Sequence, residues 1–285
     1  MVTNKHILVH LHLYYLHQLD EILSYLQNLQ DFDYDLYVTM TEKAGGAEQK
    51  IKQFKPNAHI LQVANKGYDV GPFIEVLHSL NLDKYAYVLK IHTKGTAAKN
   101  YTRINGKRFD NKLWSRLLFE ALLSGKEQVH NNLRLLANAD VGMLSSAYLI
   151  TDDKKLYEQF LPQINKILQT AGLPEVDKFS FAAGTMFWAK ANLLKPLQKY
   201  QLADFAATDG KVKEGTLAHC FERLFGAIVQ AQGYEVCGVK SSKAGFIFAL
   251  NEFKRFLFYK KRTKSGKLLV KICKIPVWVQ KINKD

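Results

Sequence analysis

The stretch Tyr87-Val88-Leu89-Lys90-Ile91-His92-Thr93-Lys94-Gly95 predicts an apolar strand that ends abruptly in polar residues. In an open α/β sheet, ligands bind beyond the carboxyl ends of the strands, where polar groups of this kind collect. The groups offered here are cationic or neutral rather than acidic. They therefore suit an anionic ligand such as a diphosphate.

Strand-like and helix-like segments alternate through the residues that precede this stretch. Apolar runs that begin at His6, Asp35, His59 and Tyr85 predict four strands, and the segments between them have helical spacing. The repeated order of strand and helix predicts a Rossmann-type α/β fold, with a mostly parallel sheet flanked by helices. Beyond the fourth strand, the polar and basic residues 96–111 predict an ordered loop over the sheet edge.

The second half of the chain continues this alternation with three further strands and three helices. The strands are predicted at Val141–Leu144, Phe181–Ala191 and Tyr234–Val239, and the helices at Trp114–Leu122, Tyr157–Leu168 and Thr216–Gln230.

The composition is that of a globular protein without disulfides. Of the 285 residues, 47% are hydrophobic and 12% aromatic, which is ample for a buried core. The three cysteines are widely spaced and lack a Cys-x-x-Cys pair, which argues against a disulfide framework or a zinc site and fits a reducing cytosol. We expect no signal peptide and no membrane-spanning segment.

The net charge of +14 is concentrated near the end of the sequence. Residues 251–285 carry 11 Lys or Arg against two acids, whereas the preceding residues are only mildly basic. Apolar side chains such as Phe256, Leu269 and Trp278 are interleaved with these cations. We therefore predict a domain at 1–250 and a basic amphipathic helical tail at 251–285 that binds an anionic membrane surface. Nucleic acid is the competing partner, but we expect none because the tail is as apolar as it is basic.

Four segments, taken in order, resemble one known family. They are NKGYDVGPF at Asn65–Phe73, KIHTK at Lys90–Lys94, AGTMFW at Ala183–Trp188 and GTLAHCFERLF at Gly215–Phe225. Across roughly residues 5–240 the chain resembles the rhamnan synthesis F family of bacterial polysaccharide glycosyltransferases, which implies a GT-A-like fold. Any one of these motifs alone is weak evidence, whereas all four in order are fairly specific.

The resemblance implies an enzyme that moves a sugar of rhamnose or galactose type from a nucleoside diphosphate donor. The acceptor would be a growing, lipid-linked surface polysaccharide, and the enzyme would lie peripherally on the inner, cytoplasmic face of the membrane. Two alternatives stay open. One is a nucleotide-sugar nucleotidyltransferase that uses the same sheet edge, and the other is a non-catalytic basic module that binds membrane or nucleic acid.

The end of the fourth strand departs from the pattern of most GT-A enzymes. Those enzymes carry Asp-x-Asp there, which holds a divalent metal on the diphosphate. This chain has His92-Thr93-Lys94 instead. We therefore expect a metal-independent site without a cofactor, with magnesium or manganese as the alternative.

One group of donor-binding candidates lies in the turn that precedes the third helix. Here Asp69 would face the nucleotide or its sugar, and Gly67 and Gly71 would let the backbone approach the ligand, with Asn65 at the start of the turn. The alternative is a plain tight turn, because Gly tolerates positive φ and Asn and Asp bond their own backbone.

A second group of donor-binding candidates lies at the strand end. His92 and Lys94 are two residues apart and therefore point to one side of the strand. There they would neutralise the leaving diphosphate much as a metal does. Lys90 shares this side, but we expect it to lie too deep to reach the ligand.

The candidate catalytic residues lie on the predicted helix Thr216–Gln230. Glu222 and His219 are three residues apart and therefore share one side of this helix. The resemblance implies that Glu222 is the general base for the acceptor hydroxyl, with His219 orienting it or sharing the role. A solvated pair of Glu222 and Arg223 on an amphipathic helix is the alternative.

The acceptor is expected near the Ala183–Trp188 segment. Gly184 and Thr185 suggest a close approach of the backbone to a sugar, and Trp188 or Phe187 would form a stacking wall. Because aromatic residues of strands usually belong to the core, burial of Trp188 is the alternative.

Two acidic or histidine-rich segments are not expected to bind ligands. Asp31–Asp35 contains Asp-x-Asp spacing, but it precedes the second strand and so belongs at the amino edge of the sheet. His10 and His12 lie on the first strand with no acidic or cysteine partner nearby in sequence, so we predict that they are structural.

Overall fold

A computed structural model describes residues 6–95, 101–208, 215–262 and 267–281. Its strands are β1 (Ile7–His12), β2 (Tyr34–Met40), β3 (His59–Gln62), β4 (Tyr87–His92), β5 (Tyr101–Ile104), β6 (Lys107–Asp110), β7 (Val141–Ser146), β8 (Ile150–Thr151), β9 (Phe181–Ala182), β10 (Phe187–Lys190), β11 (Glu235–Val239), β12 (Phe258–Arg262), β13 (Lys267–Ile272) and β14 (Ile275–Lys281). Its α-helices are α1 (Leu19–Leu26), α2 (Gly45–Phe54), α3 (Val70–Ser79), α4 (Asn111–Leu123), α5 (Lys126–Leu136), α6 (Leu161–Thr170), α7 (Leu217–Ala231) and α8 (Ser242–Leu257).

Seven strands form one central sheet in the order β11-β7-β10-β4-β1-β2-β3. Neighbouring strands are parallel except at β10, which is antiparallel to both β4 and β7. The central strands β1 and β4 are buried along their whole length, as expected of apolar strands that are covered on both faces. The predicted α/β fold with a mostly parallel sheet flanked by helices is therefore confirmed.

Two neighbouring residues of β10 show which helices cover each face of the sheet. Phe187 packs against aromatic rings of α3 and α7. Trp188 points the other way and donates its indole N–H to the carbonyl of Leu122 in α4. Since successive strand residues face opposite sides, α3 and α7 lie on one face and α4 lies on the other. Lys90 of β4 pairs directly with Phe187 and so shares the α3–α7 face.

The carboxyl ends of three central strands lie level with one another. His12 of β1 pairs with both Thr39 of β2 and His92 of β4. The start of α3 and the turn between β9 and β10 meet the same edge, because Asp69 and Thr185 both contact Lys90 of β4. This edge is where the sequence predicted a ligand.

Within the main unit, the structure also contains elements that the sequence did not predict, such as the short strand β8. Helix α5 was not predicted. The predicted loop at 96–111 contains the hairpin β5–β6 and the start of α4, and its residues 96–100 lie outside the described part of the chain.

The chain divides into two compact units, Met1–Ser241 and Ser242–Asp285. The second unit contains α8 followed by a three-stranded antiparallel sheet, β12-β13-β14. The predicted helical tail is therefore wrong beyond residue 257, where the described residues form the strands β12, β13 and β14 instead of a helix. The predicted boundary after residue 250 lies inside α8. None of the helices among the described residues has the length and apolar character needed to cross a bilayer.

Candidate functional site

Two adjoining cavities lie at the carboxyl edge of the central sheet. The first, here called the strand-end cavity, has a volume of about 260 Å³. It is lined by His12, Tyr14, Tyr15, Asn65, Tyr68, Asp69, His92, Thr93, Lys94, Gly95 and Thr208. The second, here called the helix cavity, has a volume of about 200 Å³. It is lined by Tyr68, Asp69, Val70, Lys94, Gly184, Thr185, Ala218, His219 and Glu222. Tyr68, Asp69 and Lys94 line both.

A buried lysine holds the carboxylate that the two cavities share. The Nζ atom of Lys90 is 2.5 Å from Asp69 Oδ2 and donates to the carbonyl and hydroxyl oxygens of Thr185 at 2.9 and 3.2 Å. The Thr185 hydroxyl donates in turn to Asp69 Oδ2, and His92 Nδ1 lies 3.3 Å from that oxygen. Strand β4, the start of α3 and the turn before β10 are thus tied together at one point.

This cluster keeps Asp69 ionised. Burial alone would raise the pKa of the Asp69 carboxyl, but the charge of Lys90 and the hydrogen bonds from Lys90 and Thr185 hold that pKa far below its usual range. Burial lowers the pKa of His92 well below its ordinary value, so its imidazole is neutral at pH 7. Lys90 is therefore the cation that compensates Asp69.

Lys94 supplies the positive charge that faces both cavities. Its ammonium group lies 4.8 Å from the ring centroid of Trp114, and its backbone is held by two hydrogen bonds to the Gln18 side chain. Among the described residues, no carboxylate lies within ion-pairing distance of it. Burial lowers the pKa of Lys94, and Asp69 and Glu222 oppose that shift. The predicted role of Lys94 as an anion ligand stays a prediction, with a geometry that suits it.

The turn between β9 and β10 connects Asp69 to Glu222. The N–H of Gly184 donates to Glu222 Oε1 at 3.0 Å, while the next residue, Thr185, donates to Asp69. Both turn residues are left-handed, with φ of 93° at Gly184 and 51° at Thr185. Such a φ is strained for a β-branched residue and persists only where surrounding contacts enforce it. Adjacent residues of one strained turn therefore fix the spacing of the two carboxylates.

The predicted catalytic residues Glu222 and His219 both line the helix cavity. Glu222 Oε2 accepts from Arg223 Nη1 at 2.6 Å, so the pair proposed as an alternative does exist. The side chain of Glu222 is nevertheless only 23% exposed and faces the cavity. His219 shares a hydrogen bond with the Thr216 hydroxyl at 2.7 Å and meets the edge of the Tyr68 ring. This arrangement allows His219 either to orient Glu222 or to share its role as the base.

Of the residues predicted to bind the donor in the turn before α3, some line the cavities and others do not. Asn65 lines the strand-end cavity and donates to the carbonyl of Thr208. Gly67 and Gly71 line neither cavity, and their role in backbone approach to a ligand stays a prediction. A Cβ on Gly67 would lie 2.8 Å from the Phe205 side chain, and one on Gly71 would lie 2.4 Å from the Lys66 carbonyl oxygen. These glycines are needed because the protein's own chain approaches closely there.

Trp188 cannot form the predicted stacking wall for the acceptor sugar. Its side chain is fully buried and lies on the α4 face of the sheet, opposite to Lys90 and Asp69. The tryptophan near the site is Trp114, whose indole nitrogen would be 2.2 Å from a Cβ on Gly184. Gly184 therefore admits Trp114 rather than a sugar on that side. Gly184 and Thr185 still line the helix cavity, so their acceptor role stays a prediction.

The two segments that were not expected to bind ligands, Asp31–Asp35 and the pair His10 and His12, differ in how close they lie to the cavities. Asp33 and Asp35 accept hydrogen bonds from His6 at the amino edge of the sheet, far from the cavities. His10 and His12 are buried, and both share the hydroxyl of Thr39, as structural histidines do. His12 also reaches the strand-end cavity.

Sequence reasoning missed several residues of the site. Lys90 does lie too deep to line either cavity, as expected, but its pairing with Asp69 was missed, although a lysine within an apolar strand needs a buried partner. Tyr14 and Tyr15 lie just beyond the carboxyl end of β1. The reasoning that identified ligand candidates at the end of the fourth strand would have identified them if it had been applied to β1. Their backbone N–H groups both donate to the Thr93 hydroxyl. Nothing in the sequence indicated Trp114.

The family model for rhamnan synthesis protein F matches residues 1–234. This chain belongs to that family. Two curated relatives, both called uncharacterized protein WxcX, come from Xanthomonas campestris pv. campestris. The relative from strain B100 is 26% identical over 236 residues, and the one from strain ATCC 33913 is 27% identical over 239 residues. Each match covers 81% of this chain and 32% of the relative, so this member of the rhamnan synthesis F family spans about a third of their length.

Among solved structures, the chain is similar to glucosyl-3-phosphoglycerate synthase from Mycobacterium tuberculosis. That protein was solved in complex with Mn²⁺, uridine diphosphate and glucosyl-3-phosphoglycerate. The match has a TM-score of 0.35 and 12% identity, and it covers 97% of this chain and 90% of the synthase.

Proposed function

We propose that this protein is a glycosyltransferase that takes a sugar from a nucleoside diphosphate donor. The observation that carries the proposal is the pair of adjoining cavities that share Asp69 and Lys94. Group transfer requires two substrates held side by side. The strand-end cavity would take the donor and the helix cavity the acceptor, with the transferred sugar at their junction. Membership of the rhamnan synthesis protein F family supports the same activity.

The donor would lie along the strand-end cavity. The rings of Tyr14 and Tyr15 are 44% and 36% exposed there, and aromatic faces of this kind stack on nucleobases. Lys94 would contact the diphosphate. Its ammonium group is positioned by the Trp114 ring and pairs with no carboxylate of the described residues, so it can stabilise the charge that develops on the leaving group.

Among the described residues, the side chains that line this site do not suit a divalent metal. Magnesium and manganese prefer oxygen ligands, carboxylates above all. Here Asp69 pairs with Lys90 and Glu222 pairs with Arg223, and the ammonium group of Lys94 faces the same space. These cations would repel a metal ion. We propose that Lys94 supplies the positive charge itself.

On the acceptor side, Glu222 is the proposed general base. Its oxygens accept from the Gly184 N–H and from Arg223, which orients the carboxylate toward the helix cavity. Each carboxylate oxygen has a further lone pair available. Glu222 can therefore accept the proton of an acceptor hydroxyl while it keeps both contacts.

The acceptor is proposed to be a lipid-linked glycan at the cytoplasmic face of the membrane, and the sugar to be of rhamnose or galactose type. The exposed apolar side chains of α8 support a membrane surface as partner. Phe246, Leu250, Phe253 and Leu257 recur at helical spacing and are 41–70% exposed. Apolar side chains on a helix in a basic segment suit the interface of an anionic bilayer.

A screen of nucleotide sugars by thermal shift tests the proposal. The purified chain should be stabilised by dTDP-rhamnose or UDP-galactose, since a ligand that binds only the folded state raises its melting temperature. Turnover of that donor should release the nucleoside diphosphate. Release of pyrophosphate would instead indicate a nucleotidyltransferase. Failure of every nucleotide sugar to bind would favour a non-catalytic basic module.

A further inference from the structure

We infer that Lys90 is a positioning residue that orients Asp69 so that Asp69 Oδ1 accepts a hydrogen bond from a hydroxyl of the donor sugar. This inference rests on the proposed function. It assigns the sugar end of the donor to Asp69 and the diphosphate to Lys94.

The hydrogen bonds of Lys90 leave it no capacity to bind a ligand directly. Its side chain is fully buried, and an ammonium group has three donors. Those donors meet Asp69 Oδ2, the Thr185 carbonyl oxygen and the Thr185 hydroxyl oxygen. Lys90 therefore acts on a ligand only through the residues that it holds.

The two oxygens of Asp69 have different surroundings. Oδ2 receives Lys90 and the Thr185 hydroxyl and lies 3.3 Å from His92. Within the described residues, Oδ1 receives no hydrogen bond. The side chain is 20% exposed and lines both cavities. The free oxygen is thus the part of Asp69 available to a ligand.

The charge of Asp69 determines which part of the donor it can meet. An ionised carboxylate only accepts hydrogen bonds, and it repels a phosphate. A sugar hydroxyl donates, so it is the donor group that fits Oδ1. The cation suited to the diphosphate is Lys94, which lines the same two cavities and has no carboxylate within ion-pairing distance in the described part of the chain. A nucleotide sugar placed on both residues has its phosphates at Lys94 and its sugar at Asp69.

Removing one partner of a buried ion pair leaves an uncompensated charge, whereas removing both charges does not. Lys90→Met should therefore lower the stability of the protein, and Lys90→Met combined with Asp69→Asn should recover much of it. Stability follows from urea denaturation of the single and double variants. The double variant keeps the test valid even where Lys90→Met alone fails to fold.

Measurements of nucleotide binding distinguish a positioning role of Lys90 from a purely structural one. Calorimetry would compare UDP and dTDP with UDP-galactose and dTDP-rhamnose on the wild type, Asp69→Asn and Lys90→Met, which keeps Asp69 but removes the residue that holds it. The wild type should bind one nucleotide sugar more tightly than its diphosphate. Both variants should lose roughly tenfold or more of that preference, as expected for a hydrogen bond to a charged group, while they bind the diphosphate normally.

The outcomes distinguish this inference from the proposed function. A folded Lys90→Met variant that keeps the sugar preference of the wild type would make Lys90 merely structural and overturn the inference. Unchanged preference in Asp69→Asn would overturn it as well, while the glycosyltransferase proposal stands. A wild type that binds neither diphosphates nor nucleotide sugars would overturn both.

Discussion

Asp69 and Glu222 are two carboxylates of one site with different environments. Asp69 is compensated by a buried lysine and held ionised by its neighbours, which makes it a poor proton acceptor. Glu222 is paired with Arg223 near the mouth of the helix cavity. If the enzyme uses a general base, these environments favour Glu222 for that role and leave Asp69 to bind the sugar.

Replacing Glu222 with Gln keeps its shape and removes the proton acceptor. We expect turnover to fall by about two orders of magnitude or more, the usual contribution of a general base, while donor affinity is unchanged. Initial rates and donor titrations measure the two effects. Glu175→Gln, at an exposed position, is the matched control. Normal turnover of Glu222→Gln would show that this carboxylate is not the base.

His12 makes the free energy of unfolding depend on pH. Burial lowers its pKa to about 4, whereas an unfolded histidine titrates near about 6.5. Between these values the unfolded chain binds a proton that the folded chain does not. The free energy of unfolding should therefore fall as the pH falls, by up to about 1.4 kcal/mol per pH unit for this group.

His12→Gln removes this titration and keeps a polar partner for Thr39. Its unfolding free energy, measured by urea denaturation, should depend less steeply on pH than that of the wild type between about pH 4 and 6.5. His130→Gln, at an exposed position, should retain the wild-type dependence. Equal slopes for wild type and His12→Gln would contradict the burial argument.

At the scale of elements, the turn between β9 and β10 organises the site. It carries the left-handed residues Gly184 and Thr185 and bonds to both carboxylates. It also receives the indole of Trp114, which leaves no space for a Cβ on Gly184. A change in this turn should disturb packing and catalysis together.

Gly184→Ala tests the turn, with Gly172→Ala as its control. Both glycines have positive φ, but a Cβ on Gly172 meets nothing within 4 Å. The left-handed backbone should cost each variant about 1–2 kcal/mol. Gly184→Ala should lose about 1–3 kcal/mol more from overpacking, together with turnover. Equal unfolding free energies for the two variants would show that Trp114 adjusts freely.

The sequence predicted most elements but only part of the site, for physical reasons. Apolar strands and amphipathic helices have distinct periods, so β1, β4 and α7 were predicted within a few residues. Helix α5 was missed because its apolar residues are few within a polar segment. Local sequence also says little about which residues, distant in sequence, pack against a given glycine. That is why the contacts of Gly67 and Gly71 within the protein were not predicted and Trp188 was preferred to Trp114.

At the scale of the whole molecule, exposed apolar side chains are concentrated in the second unit. On α8, Phe246 and Phe253 are 70% and 57% exposed. We propose that this helix, with the basic residues that follow it in sequence, binds anionic membrane. A truncation at the predicted domain boundary after residue 250 would divide α8, so substitutions in the intact chain give a cleaner test.

The combined variant Phe246→Ser, Leu250→Ser and Phe253→Ser should sediment much less with anionic liposomes than the wild type. Each apolar side chain that leaves water contributes about 1.5–3 kcal/mol. Leu135→Ser changes an exposed leucine of α5 and should not alter sedimentation. Binding should also weaken with salt, because screening shortens electrostatic attraction. Undiminished sedimentation of the combined variant would place the anchor elsewhere.

The role of Lys94 as the cation for the diphosphate can be measured directly. Calorimetric titration of the wild type with UDP and dTDP in excess EDTA should show binding of at least one of them, because Lys94 is proposed to take the place of a metal ion. Lys94→Ala should bind that diphosphate roughly tenfold more weakly or worse, through loss of a charge-assisted contact. Lys166→Ala, on an exposed face of α6, should bind normally. Binding that appears only after manganese or magnesium is added, or that is unchanged in Lys94→Ala, would contradict this assignment.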